Sequence, residues 1–558
     1  MTSPPYSPDL DEFDVSPDRM PTLIARFQAD HDCLSRLSQV PLSAPGRERM
    51  RRFLAGWRRT LERIPFDDLT RSDRADWLLL RSYLDAEARE LDQEERGFAA
   101  AAALLPFADS LVALEERRLA LEDVDAEAAA ETLDHAAGQV RKICAALKDD
   151  AQSLNGATAA EAVHVLAQLQ PMLKSWFEFY HGYDPLFTWW IEKPYAGLGK
   201  LLADAAALLR EAAAGVGEEA VLGHPIGRGA LLAELRSAQI SYTPEELMAA
   251  GRAEMHWCRS ELRRAAQEMG HGDDWRAALE QVKRGHVAPG RQPALVRDLA
   301  QEAMEYIEAE DLITVPPLAR ECWRMEMMSP ERQKVNPFFL GGESIIVSFP
   351  TQGMEQAQKR MSLRGNNRAF ARATVQHELV PGHRLQAFYQ ERWRPYRRLF
   401  DTPFWTEGWT LHWEMLLWER GFAQTPEERI GMLFWRQHRG ARVLFSLGFH
   451  LGEMTVGECV EMLVDEAGHE RDNAVAEVRR SLEGGYSPLY QCAYLIGGLQ
   501  MHALYQEMVG GGRLSARDFH EAVLRENCMP LAMLRALLTG GPLDRDFRPK
   551  WRFLRPAE

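Results

Sequence analysis

From about residue 18 to residue 330 the chain repeats one pattern: apolar residues at three- and four-residue spacing with charged residues between them. That period commits more than half of the sequence to amphipathic helices and leaves little room for a large sheet. The pattern is clearest over Arg47 to Ile64, Arg74 to Glu95 and Ala126 to Leu154. The alanine-rich stretch LLADAAALLREAAAG runs to a stop at Gly215, and Thr243-Pro-Glu-Glu carries the marks of a helix start. There Thr243 caps, Pro244 takes the first position, and the acids face the positive end of the dipole. Gly97 to Leu114 is apolar but is broken by Pro106 and Asp109, so it reads as a buried helix and not a membrane span.

One segment departs from the helical period. In NPFFLGGESIIVSFPT, Asn336 to Thr351, the run Ser344 to Phe349 lies between Gly-Gly and Pro and is expected to form a short strand. Its open edge could pair with an extended peptide, or it could close a small structural hairpin. The expected fold is therefore mainly α: a large helical body with one short β element before the central motif. Residues 1–17, rich in proline and acids, are expected to form a flexible arm. Residues 18–330 form the helical N-terminal region and 331–558 a catalytic region, with no linker that forces a cut, so that the two make one continuous body.

With 558 residues and 46% hydrophobic composition the chain can bury a core without disulfide staples. Its seven cysteines are scattered and never occur as C-x-x-C, which suits free thiols in a reducing compartment. The first residues, MTSPPYSPDLDEFDV, have neither a basic start nor an apolar run, so a cytoplasmic location is the expectation. A net charge of -16 disfavours a broad nucleic-acid interface, and nothing indicates membrane association. Oligomeric state is not legible.

The chemistry concentrates in TVQHELVPGHRLQAFYQ, residues 374–390. A His-Glu pair followed by a second His on a helix is the arrangement in which two imidazoles bind zinc and the Glu activates its water. The usual spacing is four residues, whereas His377 and His383 are six apart. On an unbroken helix that is roughly 120° around the axis and about 9 Å along it, too far to share one ion. Pro381 cannot donate to the preceding turn and Gly382 tolerates unusual dihedrals, so the helix is expected to open at 380–382 and return His383 to His377. A third ligand is expected from WTEGWTLHWE, residues 405–414. Glu407 fits, with Gly408 allowing close packing beside the metal helix. Glu414, two turns on along the same face, suits a hydrogen bond behind a ligand, and His412 is the weaker rival.

HELVPGHRLQ followed by EGWTLHWE resembles the bacterial family termed domain of unknown function 885, with signatures H-E-x-x-P-G-H-H-L-Q and E-G-W-A-L-Y-x-E. The likeness extends to RSDRADWLLLRSYLDAE, RVLFSLGFH at 442–450, EVRR at 477–480, SPLYQCAYLIG at 487–497 and FHEAVLRENCMPLAML at 519–534. It implies a mostly helical, gluzincin-like metallopeptidase with zinc held by His377, His383 and Glu407 and with Glu378 as base. Arg384, Tyr490 and the pair Leu411-His412 depart from the family pattern, which bears on substrate preference more than on the chemistry.

These residues point to zinc-dependent hydrolysis of amide bonds in short peptides. Tyr494 is a candidate donor to the developing oxyanion. Arg442, Arg480 and Arg384 are candidates for binding a substrate carboxylate, and His450 is a candidate second donor. A zinc amidase acting on a specialised non-peptide amide, or a non-catalytic binding protein on the same fold, are the alternatives. No G-x-S-x-G or Cys-His signature supports a nucleophilic mechanism.

Overall fold

The computed structural model describes residues 19–37, 40, 42–149, 154–214, 221–333, 339, 341–342, 344–483 and 485–554. The expected arm at 1–17 and the helix stop at Gly215 lie outside the described residues. The fold is mainly α, as the period predicts, with one small parallel sheet. The three clearest helical stretches appear as Ala44–Glu62, Arg71–Ala101 and Ala126–Asp149. Gly97 to Leu114 is not one helix. It is split between Arg71–Ala101 and Ala108–Leu119, and the break contains Pro106, whose ring would clash with the preceding turn.

Chain contacts divide the protein into two units, residues 1–224 and 225–558, so the division does not fall at residue 330. The first unit has its own core running from Val40 to Leu209, built by helices such as Ala126–Asp149, Gly156–Tyr180 and Pro185–Ala214. In the second unit the Pro244–Glu268 helix packs on Pro426–Leu451, with Gly251 and Gly440 at the crossing. This explains why residues 244–268 belong with the C-terminal half. The start read at Thr243 is a full capping box: the Thr243 side chain accepts from the Glu246 backbone and the Glu246 side chain accepts in return.

The strand expected at Ser344–Phe349 is β2, Ser344–Val347. It pairs in parallel with β1, Arg324–Met327, in the register Arg324 to Ser344 through Met327 to Val347. A hairpin is therefore excluded, since parallel neighbours need a crossover. β1 had no legible signal, because RMEM is short and largely exposed.

Three successive α-helices carry the central motifs: Arg368–Glu378, His383–Gln390 and Pro403–Glu419. The last is buried over nearly its whole length from Phe404 to Leu417, with Trp405, Trp409 and Trp413 fully enclosed. Gly408 does not face the motif helix as expected. It meets Gly497 of the Tyr490–Tyr505 helix, where a Cβ on either glycine would strike the other helix's backbone.

A candidate metal centre

The helix that carries His377 and Glu378 ends at Glu378. Leu379 leaves the helical region at φ -106 and ψ -101, the Val380–Pro381 bond is cis, and Gly382 starts the next helix at φ -73 and ψ -139. The Gly382 N–H donates to the Gln376 carbonyl at 3.0 Å, and the Trp409 indole donates to the Pro381 carbonyl at 2.9 Å. A Cβ at Gly382 would overlap the His377 carbonyl, so only glycine fits this close approach. The six-residue spacing is thus folded back on itself. The two imidazole rings lie 5.0 Å apart at an interplanar angle of 85°.

Both rings present Nε2 to Glu407. His377 Nε2 is 3.6 Å and His383 Nε2 3.3 Å from Glu407 Oε2. Ligands at about 2.0–2.1 Å from a tetrahedral zinc lie roughly 3.3 Å from one another, close to these separations. His377, His383 and Glu407 have ligand atoms within 4.8 Å of one another, the one such group among the described residues.

The other ring nitrogens have partners of their own. His377 Nδ1 is 2.7 Å from Glu414 Oε1, and His383 Nδ1 is 3.3 Å from Gln386 Oε1. Nδ1 of each ring is taken up by its partner, so Nε2 is the atom that each ring turns towards Glu407. Glu407 Oε1 accepts from the Tyr490 hydroxyl at 2.8 Å, while Oε2 is buried and faces the two imidazoles. Burial works against a charge on His377, yet Glu407 and Glu414 hold it up at about 9. His383 is raised in the same way against its burial, chiefly by Glu407. Burial opposes the charge on Glu407 as well, but the two imidazoles hold it well below the usual carboxylate range. Two imidazole Nε2 atoms and a carboxylate oxygen converging in a buried space form a site that calls for positive charge, held as protons on the imidazoles or as a metal ion.

Glu378 is buried beside this cluster. Burial raises its pKa, which the two imidazoles only partly offset. The backbone at Gly341 lies against it, where a Cβ would overlap the Glu378 carboxylate. Tyr494 is also buried, its ring 6.3 Å from His377, with the guanidinium carbons of Arg442 and Arg439 4.4 and 4.8 Å from its centroid. A cavity of about 410 Å³ opens onto His377, Glu378, His383, Glu407, Tyr494 and Arg480.

The remaining candidates separate. Arg480 faces the cavity. Arg442 does not: its Nε donates to Glu477 Oε1 at 2.6 Å in a buried ion pair. Arg384 is buried and does not line the cavity, and His450 sits buried in the last turn of Pro426–Leu451, also away from it. Glu414 takes the place expected behind a ligand, and Arg439 lies 3.6 Å from its carboxylate. Sequence reasoning missed Tyr490, Gln386, Arg439 and Gly341. Gln386 and Arg439 stand three residues from residues already singled out, one helical turn away, which was the available signal.

A helical protein with a buried two-histidine, one-glutamate cluster and an adjoining carboxylate defines a class: a mainly α protein with a candidate metal centre. The sequence profile of the bacterial proteins of unknown function designated DUF885 matches residues 28–538, and the chain belongs to that family. No curated protein matches it. Two solved structures share the fold. A candidate lipoprotein of unknown function from Shewanella oneidensis is 16% identical with a TM-score of 0.67, covering 94% of this chain and 100% of that one. A candidate lipoprotein from Colwellia psychrerythraea is 14% identical with a TM-score of 0.60, covering 94% and 99%. No helix among the described residues is long and apolar enough to cross a membrane.

Proposed function

We propose that the protein is a zinc-dependent hydrolase of amide bonds in short peptides, of the gluzincin type. One observation carries the reading: the buried Glu407 Oε2 faces two imidazole Nε2 atoms at 3.6 and 3.3 Å. His377, His383 and Glu407 would hold the ion, and an N₂O ligand set with a fourth position open suits zinc. When bound, zinc would bring the pKa of its water to about 7 and polarise the scissile carbonyl.

The chain's own residues supply the proton transfers. Glu378, buried with its pKa raised, is suited to accept a proton from the attacking water and pass it to the departing amine. Tyr494 is suited to donate a hydrogen bond to the developing oxyanion. Burial keeps its hydroxyl protonated, and the guanidiniums of Arg439 and Arg442 against its ring make the phenol a better donor. Glu414 and Tyr490 hold His377 and Glu407 in place.

All seven cysteines are unpaired, which supports a reducing, cytoplasmic compartment. The names of the two solved relatives favour a membrane-attached one. Fractionation of cells producing the full-length protein decides between them.

The function is tested with a mixed-peptide substrate read by mass spectrometry. The zinc-loaded protein is expected to cleave short peptides, a chelator to stop it, and Glu378→Gln to lose several orders of magnitude while keeping the metal. Chelator-resistant cleavage, or Glu378→Gln activity within about tenfold of the unaltered protein, overturns the reading.

A further inference from the structure

Two arginines line the cavity that holds the histidine–glutamate cluster: Arg480, on the Arg471–Glu483 helix, and Arg332, on the Pro330–Gln333 turn. Arg480 differs from the arginines behind the site. Arg442 is given to Glu477 at 2.6 Å, and Arg439 lies 3.6 Å from Glu414. Arg480 is not paired in this way: Glu477 acts on it from beyond ion-pair distance, and its hydrogen bond goes to tyrosine. Its Nε is 3.4 Å from the Tyr486 hydroxyl, and its guanidinium carbon is 5.1 Å from the Tyr486 ring. No carboxylate lies within 4.0 Å of it among the described residues. A guanidinium carries five donors in a planar fork matched to a carboxylate. On a half-buried arginine that lines a cavity, that fork is placed where a ligand's carboxylate can reach it.

Arg480 and the cluster lie on the lining of one cavity. Its volume of about 410 Å³ leaves room for a carboxylate at Arg480 and a carbonyl at the cluster in one bound peptide, since one extended residue spans at most about 3.6 Å.

We propose that Arg480 binds the C-terminal carboxylate of a short peptide, with Arg332 as a second cation at the cavity, so that the bond cleaved is the one nearest the free carboxyl end. This rests on the hydrolase reading above and names its substrate class. Arg332 adds charge from an exposed position, so its contribution is smaller and weakens with salt.

The test compares tripeptides with their C-terminal amides on the zinc-loaded, full-length protein. The free acids are expected to exceed the amides by about 10- to 100-fold in kcat/KM, the worth of one charge-assisted interaction. Arg480→Gln is expected to collapse that ratio towards one, mainly through a higher KM for the acids, with zinc content unchanged. Arg480→Lys keeps the charge without the fork and is expected to fall between. An acid-to-amide ratio that survives in Arg480→Gln overturns the proposal.

A second arm does not depend on turnover. Calorimetric binding of N-acetyl-alanyl-alanine and its amide is measured in Glu378→Gln, with and without Arg480→Gln. Loss of acid binding only when Arg480 is replaced supports the clamp even if the unaltered protein cleaves nothing, an outcome that sinks the hydrolase reading alone. Equal acid binding in both variants overturns the clamp. If Arg480→Gln fails to fold by thermal melting, Arg480→Lys carries both arms.

Discussion

His377 Nδ1 lies 2.7 Å from Glu414 Oε1, and Glu414 stands two turns after Glu407 on the same helix. One helix therefore supplies both the carboxylate that faces the two Nε2 atoms and the one that orients His377 from behind. Burial opposes a charge on Glu414, but Arg439 and His377 keep its carboxyl below the usual range. Glu414→Gln keeps the shape and removes the charge. It is expected to weaken zinc binding by about 10- to 100-fold in a competitive chelator titration, the usual effect of losing such a partner. Unchanged affinity would show that Glu414 serves packing alone.

Tyr490 donates to the other oxygen of Glu407 at 2.8 Å. Tyr490→Phe should lower zinc affinity by about tenfold and leave the fold intact. Tyr490→Gln, which keeps a shorter donor, should lose less. If the two substitutions behave alike, the hydroxyl has no part in holding Glu407.

The turn between the histidines has no room for a side chain at Gly382. Gly382→Ala must push the new methyl into the His377 carbonyl or move the turn. The expected cost is about 1–3 kcal/mol of stability, with weakened zinc binding because His377 or His383 shifts. Chemical denaturation beside a zinc titration reads both. A variant as stable and as zinc-competent as the parent would mean that the turn is not held closed.

A separate set of histidines makes stability depend on pH. His520 is fully buried, its Nδ1 2.8 Å from the Leu312 carbonyl and its Nε2 3.0 Å from His412 Nε2. Burial holds it at about 3, with backbone hydrogen bonding only a partial offset. In the unfolded chain it titrates near 6.5, so the unfolded chain takes up a proton that the folded chain resists. The stability it contributes is complete above pH 6.5 and is lost as the pH falls towards 3. His469, held at about 3 by burial, acts in the same direction. Melting temperature measured from about pH 6.5 down to about pH 4.5 should fall more steeply for the unaltered protein than for His520→Gln. Parallel slopes would remove His520 from the account.

Much of this was legible in the sequence, for identifiable reasons. A period of 3.6 persists over long helices, and Thr243-Pro-Glu-Glu is a local signal satisfied locally. The spacing of His377 and His383 carried its own anomaly, and Pro381-Gly382 stood where the remedy had to be. What could not be read depends on contacts distant in sequence. Gly408 announces a close approach but not to which helix, and Gly497 is 89 residues further on (497 − 408). Arg442 and Arg480 are equivalent as letters, and only Glu477 at 2.6 Å from one of them tells them apart. Tyr490 stood out as a departure from the family pattern, yet nothing in the sequence aimed its hydroxyl at Glu407.

The most direct test of the central claim is metal content by elemental analysis of purified full-length protein, measured beside His377→Ala, His383→Ala and Glu407→Ala. The account predicts about one zinc per chain, and a marked loss in each variant as three protein ligands become two. Zinc retained in full by all three variants, or absent from the unaltered protein even after incubation with excess zinc, would contradict it.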